Sequence, residues 1–182
     1  MTTPRALIPL APGFEEIEAA TIVDVLRRGG VDVVTAALAP GLVEGAHGIH
    51  MEADKRLGDL AEESFDAIVL PGGMPGAVHL RDDELVQATL KRLAHDGAIT
   101  AAICAAPIAL SRAGITAGHR VTSYPSFQGE IEAQEYTDEP VVVDGTVVTS
   151  RGPATALRFA LSLVSLLVSE EKARDVAESM LL

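Results

Sequence analysis

Ala98–Pro107 reads AITAAICAAP, and the rest of the chain is arranged around it. Its first six residues are small or β-branched and uncharged, the composition of a strand buried on both faces. Cys104 stands where that strand ends, and Ala105, Ala106 and Pro107 open a helix. Pro suits a first turn, where amide donors lack partners in any case. A thiol at such a junction faces free N–H groups and the positive end of a helix dipole, both of which favour the thiolate. It is also the chain's only cysteine. A lone Cys among alanines is most often an inert core residue, so the flanking sequence has to decide.

Working outward, Asp66–Leu70 (DAIVL) is a second buried strand, followed by PGGMPG. Gly72-Gly73 lets the backbone bend sharply just past the strand and turn its amides outward, although a plain tight turn reads the same way. It is neither GxGxxG nor GxxxxGK[ST], so the sequence calls for no dinucleotide or nucleotide cofactor. Asp83–Asp96 is an amphipathic helix with Leu85, Val86, Leu90 and Leu93 inward, closed by Gly97. Toward the N-terminus, Arg5–Leu10 is a strand, Ala11-Pro12-Gly13 a loop, Glu15–Arg28 a helix ended by Gly29-Gly30, and Val31–Ala37 a strand. Ala39–Asp54 reads as a small hairpin excursion. Toward the C-terminus, Arg120–Thr122 is a short strand, and Ser126 is placed to cap a short helix through Ala133. VVVDGTVVTS, Val141–Ser150, is a hairpin around Asp-Gly. Ala154–Val168 and Ser169–Leu181 are helices. Alternating strands and helices predict one α/β domain over 1–182, with a mostly parallel sheet covered on both faces.

Glu18 is the anomaly of the first third. On a helical wheel of about 100° per residue it falls between Val25 and Ile22, inside the apolar arc. A carboxylate there is expensive unless partnered or protonated. Glu15 and Glu16, at the helix start, are expected to reach solvent. His47 and His50 lie in the hairpin with no carboxylate set beside them in sequence, so no metal site is expected. In a parallel sheet, ligands bind beyond the carboxyl ends of the strands. Gly72-Gly73, Cys104 and the Pro12–Glu18 turn all fall there. A thiolate, amides able to hold an oxyanion (that of Ala105 among them) and a proton-shuttling acid form a working set for carbonyl chemistry.

Bulk properties bound the alternatives. With 182 residues, 48% of them hydrophobic, the chain can bury a substantial core. A net charge of −12 argues against general nucleic-acid binding or docking on anionic membranes. One cysteine allows no internal disulfide. MTTPRALIPLAPGFEE has too short an apolar run for a signal peptide, and Phe159–Val168 is too short to span a bilayer. These features predict a cytoplasmic protein.

Taken together, APGFEEIEA, VLPGGMPGA, AAICAAP and TSRGP, in this order, resemble the DJ-1/PfpI superfamily, in particular its DJ-1/ThiJ/YajL branch. The resemblance runs from about Arg5 to the C-terminus. It implies a flavodoxin-like three-layer sandwich, commonly a homodimer, with a reactive cysteine on a nucleophile elbow. It assigns that cysteine to Cys104 and the buried glutamate beside it to Glu18. Gly72, Gly73 and Ala105 match the surrounding backbone donors, and Arg28 and Arg151 match arginines near the pocket. Many members carry His where this chain has Tyr124, and the protease-like branch has His where it has Ala105. Tyr is a poor base at neutral pH, so a cysteine peptidase is disfavoured. The resemblance implies a cofactor-independent glyoxalase or deglycase acting on methylglyoxal-like 2-oxoaldehydes or early glycation adducts. Its alternative is an oxidative-stress sensor or chaperone working through oxidation of Cys104.

Overall fold

A computed structural model of the chain describes residues 3–182. Its elements are β1 (Arg5–Leu10), α1 (Glu16–Arg28), β2 (Asp32–Ala37), β3 (Leu42–Glu44), β4 (His50–Glu52), β5 (Lys55–Arg56), β6 (Ala67–Leu70), α2 (Gly76–Asp82), α3 (Glu84–His95), β7 (Ile99–Ile103), α4 (Pro107–Arg112), β8 (Arg120–Val121), β9 (Glu135–Tyr136), β10 (Val141–Asp144), β11 (Val147–Ser150), α5 (Ala156–Leu167) and α6 (Glu170–Ser179). Seven strands form one sheet in the order β10-β11-β7-β6-β1-β2-β5. All its pairings are parallel except β10 with β11.

Side chains alternate across this sheet, so one strand feeds two cores. Ala6, Ile8 and Leu10 of β1 join Val69, Ala101 and Ile103 beneath α1, α5 and Val176 of α6. Leu7 joins Ile68, Leu70 and Ala102 against α2, α3 and α4. The result is the flavodoxin-like sandwich: a sheet with helices on both faces. On α1, Ile22, Val25 and Leu26 are fully buried, each contributing about 1.5–3 kcal/mol of apolar burial. No described helix is long and apolar enough to cross a membrane.

From β1 the chain passes outward to β2, then returns to lay β6 on the other side of β1. That reversal is the topological switch point, where an α/β sheet leaves a crevice. The loops after β1 and β6 meet there, and the Glu15 N–H donates to the Gly72 carbonyl at 2.9 Å. Gly73, at φ +90°, sits so close that a Cβ would lie 2.3 Å from Glu15 N.

Several local expectations are revised. The hairpin turns on Gly145-Thr146 rather than Asp144-Gly145, since Asp144 still pairs with Val147. The Asp144 carboxylate accepts the Arg120 N–H at 2.7 Å, which holds it in the strand, and Gly145 supplies φ +62° at the first turn position. Ser126 is not a cap. A 3₁₀ turn over Pro125–Glu130 begins after Tyr124 and has no side-chain cap. Helix α2 had no sequence signal, and a 3₁₀ turn at Pro153–Thr155 delays the start of α5 to Ala156.

Gly73→Ala is expected to cost at least about 3 kcal/mol, combining left-handed strain of about 1–3 kcal/mol with displacement of the Glu15 backbone. Gly97→Ala, also left-handed (φ +83°) but with nothing within 4 Å, is expected to lose only about 1 kcal/mol. Urea unfolding midpoints of the two variants check this; equal losses would mean that the loop contact is not the constraint.

Candidate active site

Cys104 follows β7 directly. Its N–H donates to the Ser150 carbonyl at 3.0 Å, and its own carbonyl accepts the Tyr124 N–H at 2.8 Å. Between these two bonds its backbone is held at φ +62°, in the left-handed region that non-glycine residues rarely occupy. A strained residue at a strand-to-helix corner presents its side chain at the top of the sheet, the geometry of a nucleophile elbow. The sulfur is half-buried.

Behind it lies Glu18, completely buried on α1. Its Oε2 accepts the Gly72 N–H at 2.7 Å, whereas Oε1 has no hydrogen-bond partner among the described residues. A buried carboxyl with one oxygen satisfied and the other orphaned is suited to carrying a proton on the orphan. Burial pushes Glu18 up to about 7, with the negative charge of Glu15 adding to the effect, against the Gly72 amide and Cys104. Gly72 must lack a side chain, since a Cβ would lie 2.6 Å from Cys104 Cβ and 2.8 Å from Glu18 Oε2.

The thiol departs from expectation. Burial and then the charge of Glu18 push Cys104 up to about 12, and the backbone N–H groups of Gly73 and Ala105 only partly oppose them. Helix α4 is six residues long, so its dipole is too small to prevail. The two groups lie close enough for their protonation to be coupled.

Tyr124, Arg151 and Pro153 line an apolar concavity of about 260 Å³ beside the elbow. The Arg151 guanidinium pairs with Asp138 at 2.5 Å. Arg28 does not reach this group within one chain. It ends α1, ten residues beyond Glu18 and so about 15 Å along the helix, and it pairs with Asp24 at 2.7 Å. A surface concavity of about 640 Å³ lies away from Cys104, among charged side chains of α2, α3 and α4 including Arg81, Lys91 and Arg112.

Glu15 and Glu16 are buried rather than solvated, at 8% and 6% exposure. Glu16 is held at about 2: burial opposes its charge, but the His47 ring and the N–H groups of His47 and Ile49 outweigh it. His47 is thus not a free surface histidine. Nothing local in the sequence links residues 31 positions apart.

A half-buried thiol on a strained elbow, backed by a buried acid at the switch point of a parallel sheet, defines a cysteine-centred α/β sandwich protein. The chain belongs to the DJ-1/PfpI family, which it matches over residues 4–166. It is 40% identical to protein dj-1beta of Drosophila melanogaster, over 97% of this chain and 96% of that one. It is 37% identical to the glutathione-independent glyoxalase DJR-1.2 of Caenorhabditis elegans, over 97% and 96%. It is 41% identical to DJ-1 homolog A of Arabidopsis thaliana, but spans only 47% of that longer relative, and 41% of its homolog B. Among solved structures, oxidized Toxoplasma gondii DJ-1 superposes with a TM-score of 0.95 at 38% identity, covering 98% of both chains. Drosophila DJ-1beta gives 0.95 at 38%, covering 100% of this chain and 99% of that one.

Glu18 makes stability depend on pH. Its folded-state value, about 7, is raised above the ordinary 4.5, so the folded chain binds a proton that the unfolded chain has lost. Stability therefore falls as pH rises from about 4.5 to about 7 and is level above that. Glu18→Gln, which keeps an acceptor for Gly72, is expected to be more stable than wild type by about 3 kcal/mol near pH 8 and unchanged near pH 4. Denaturant titrations at the two pH values measure the difference; a constant offset would mean that Glu18 is ionised throughout.

Proposed function

We propose that the chain is a cysteine-dependent glyoxalase or deglycase-type enzyme whose substrates are methylglyoxal-like 2-oxoaldehydes or early glycation adducts. The observation that carries this reading is the orphaned, buried Glu18 carboxyl against the strained Cys104 elbow. As the sulfur attacks the aldehyde carbon, the Glu18 carboxylate accepts the thiol proton and passes it to the former carbonyl oxygen, giving a hemithioacetal. Glu18 then removes the proton from that carbon and returns it to the neighbouring ketone carbon, with the oxygens exchanging a proton through an enediol. The product is a thioester of the 2-hydroxy acid. Water cleaves the C–S bond, releasing the acid and restoring the thiol. Atoms balance without an external oxidant or reductant. The amides of Gly73 and Ala105 supply donors for developing negative charge. A relative of nearly equal length that is named a glutathione-independent glyoxalase supports the substrate class.

The reading includes a homodimer. Ile17 on α1 and Leu166 and Val168 at the end of α5 are 59%, 45% and 42% exposed, a poor use of large apolar side chains in a monomer. Light scattering is expected to give twice the mass of the chain, and a monomer would remove this part of the proposal.

The oxidation-sensor reading rests on the same half-exposed sulfur and on a related structure described as oxidized. The assay that separates the two is lactate release from methylglyoxal without glutathione, by wild type, Cys104→Ser and Glu18→Gln. Turnover is expected in wild type and is expected to fall by about a hundredfold or more in both variants, each still folded by circular dichroism. No turnover in wild type, or turnover indifferent to Cys104, overturns the enzyme and leaves the sensor.

A further inference from the structure

Glu15 and Glu16 are adjacent in sequence, and both side chains are nine-tenths buried or more, at 10% and 7% exposure. They converge on one imidazole. His47 Nδ1 lies 2.8 Å from Glu16 Oε2 and 3.4 Å from Glu15 Oε2. One donor atom from each of the three residues falls within 4.8 Å of the others.

The two carboxylates differ in how they are satisfied. Glu16 Oε1 accepts the His47 N–H at 2.6 Å and the Ile49 N–H at 3.4 Å, while Oε2 takes the ring. The Glu15 carboxylate accepts no hydrogen bond among the described residues, and its one cationic neighbour is the ring that Glu16 already holds. Two carboxylates at the start of α1 thus share a single imidazole, and the Glu15 oxygens, which still touch solvent, are left without a hydrogen-bond donor among the described residues.

We propose that Glu15, Glu16 and His47 form a binding site for a divalent first-row transition ion of the Zn²⁺ class. One imidazole nitrogen with two carboxylates suits such ions, whereas Ca²⁺ and Mg²⁺ want a fuller set of oxygens. The spacing fits as well. Ligand atoms about 2.0–2.1 Å from a tetrahedral metal stand about 3.4 Å apart, the separation already present between Glu15 Oε2 and His47 Nδ1. The shorter Glu16–His47 contact opens by about half an ångström as the shared proton leaves and the metal takes its place.

The frame is rigid before any ion arrives. Ala46 N–H donates to the Phe14 carbonyl and Gly13 N–H to the Glu44 carbonyl, both at 2.8 Å, tying the β3–β4 hairpin to the start of α1. Gly45 permits this approach, because a Cβ there would lie 2.3 Å from Glu16 Oε1. The site opens into a concavity of about 440 Å³ edged by Ile17, Ile49 and Pro153, which leaves the fourth coordination position to water, an exogenous ligand or, in the proposed homodimer that covers Ile17, a group of the partner.

The test is calorimetric titration of the metal-stripped full chain with ZnCl₂, repeated with Cys104→Ser so that the thiol cannot supply the signal. One Zn²⁺ per chain is expected in both. His47→Gln, at an exposed position, and Glu15→Gln are each expected to weaken binding about tenfold or more, with both variants still folded by circular dichroism in the absence of metal. Co²⁺ is expected to give visible d–d bands without a thiolate charge-transfer band. Absence of Zn²⁺ binding, binding indifferent to His47→Gln and Glu15→Gln, or binding lost with Cys104 would each overturn the assignment.

Discussion

Gly72 gives its N–H to Glu18 and its carbonyl oxygen to the N–H of Glu15, with Cys104 packed against its α-carbon. The arrangement around the thiol depends on that residue having no side chain. Parallel strands lie about 4.8 Å apart, so the loops leaving β1, β6 and β7 emerge almost on top of one another. Side chains between them would force the loops to splay. Glycine at 72 and 73 lets the backbone itself line the crevice, supplying donors at fixed positions that cost nothing to organise when charge develops.

That crowding also sets the electrostatics. The crevice is dry enough for burial to dominate both ionisable groups, lifting Glu18 into the neutral range and holding the thiol protonated while Glu18 is charged. Burial around Cys104 thus works against the thiolate that the helix start would favour.

What could be read in the sequence was whatever has a local period or a local junction. Glu18 betrayed itself by sitting in an apolar arc, Cys104 by standing between a strand and a Pro-led turn, and the sandwich by alternating elements. The strand and helix limits agree with the structure to within a residue or two over most of the chain. Interactions between distant segments were hidden. The His47 ring finds Glu16 only because the hairpin folds back on α1, so neither the burial of Glu15 and Glu16 nor the value of Glu16 has a sequence signature. The direction of the Cys104 shift was misread for a related reason: a helix start was visible, but neither the shortness of that helix nor the depth of burial around the thiol was. Arg28 looked like a pocket residue by resemblance, yet its place at the far end of α1 keeps it from Cys104 in the same chain.

The left-handed backbone at Cys104 has a consequence for which residues this position accepts. Of the twenty amino acids, glycine alone occupies φ +62° without penalty. Glycine at 104 would relieve that backbone strain but lose the packing of the side chain against both cores. The side chain at 104 is therefore held by its neighbours against the preference of its own backbone.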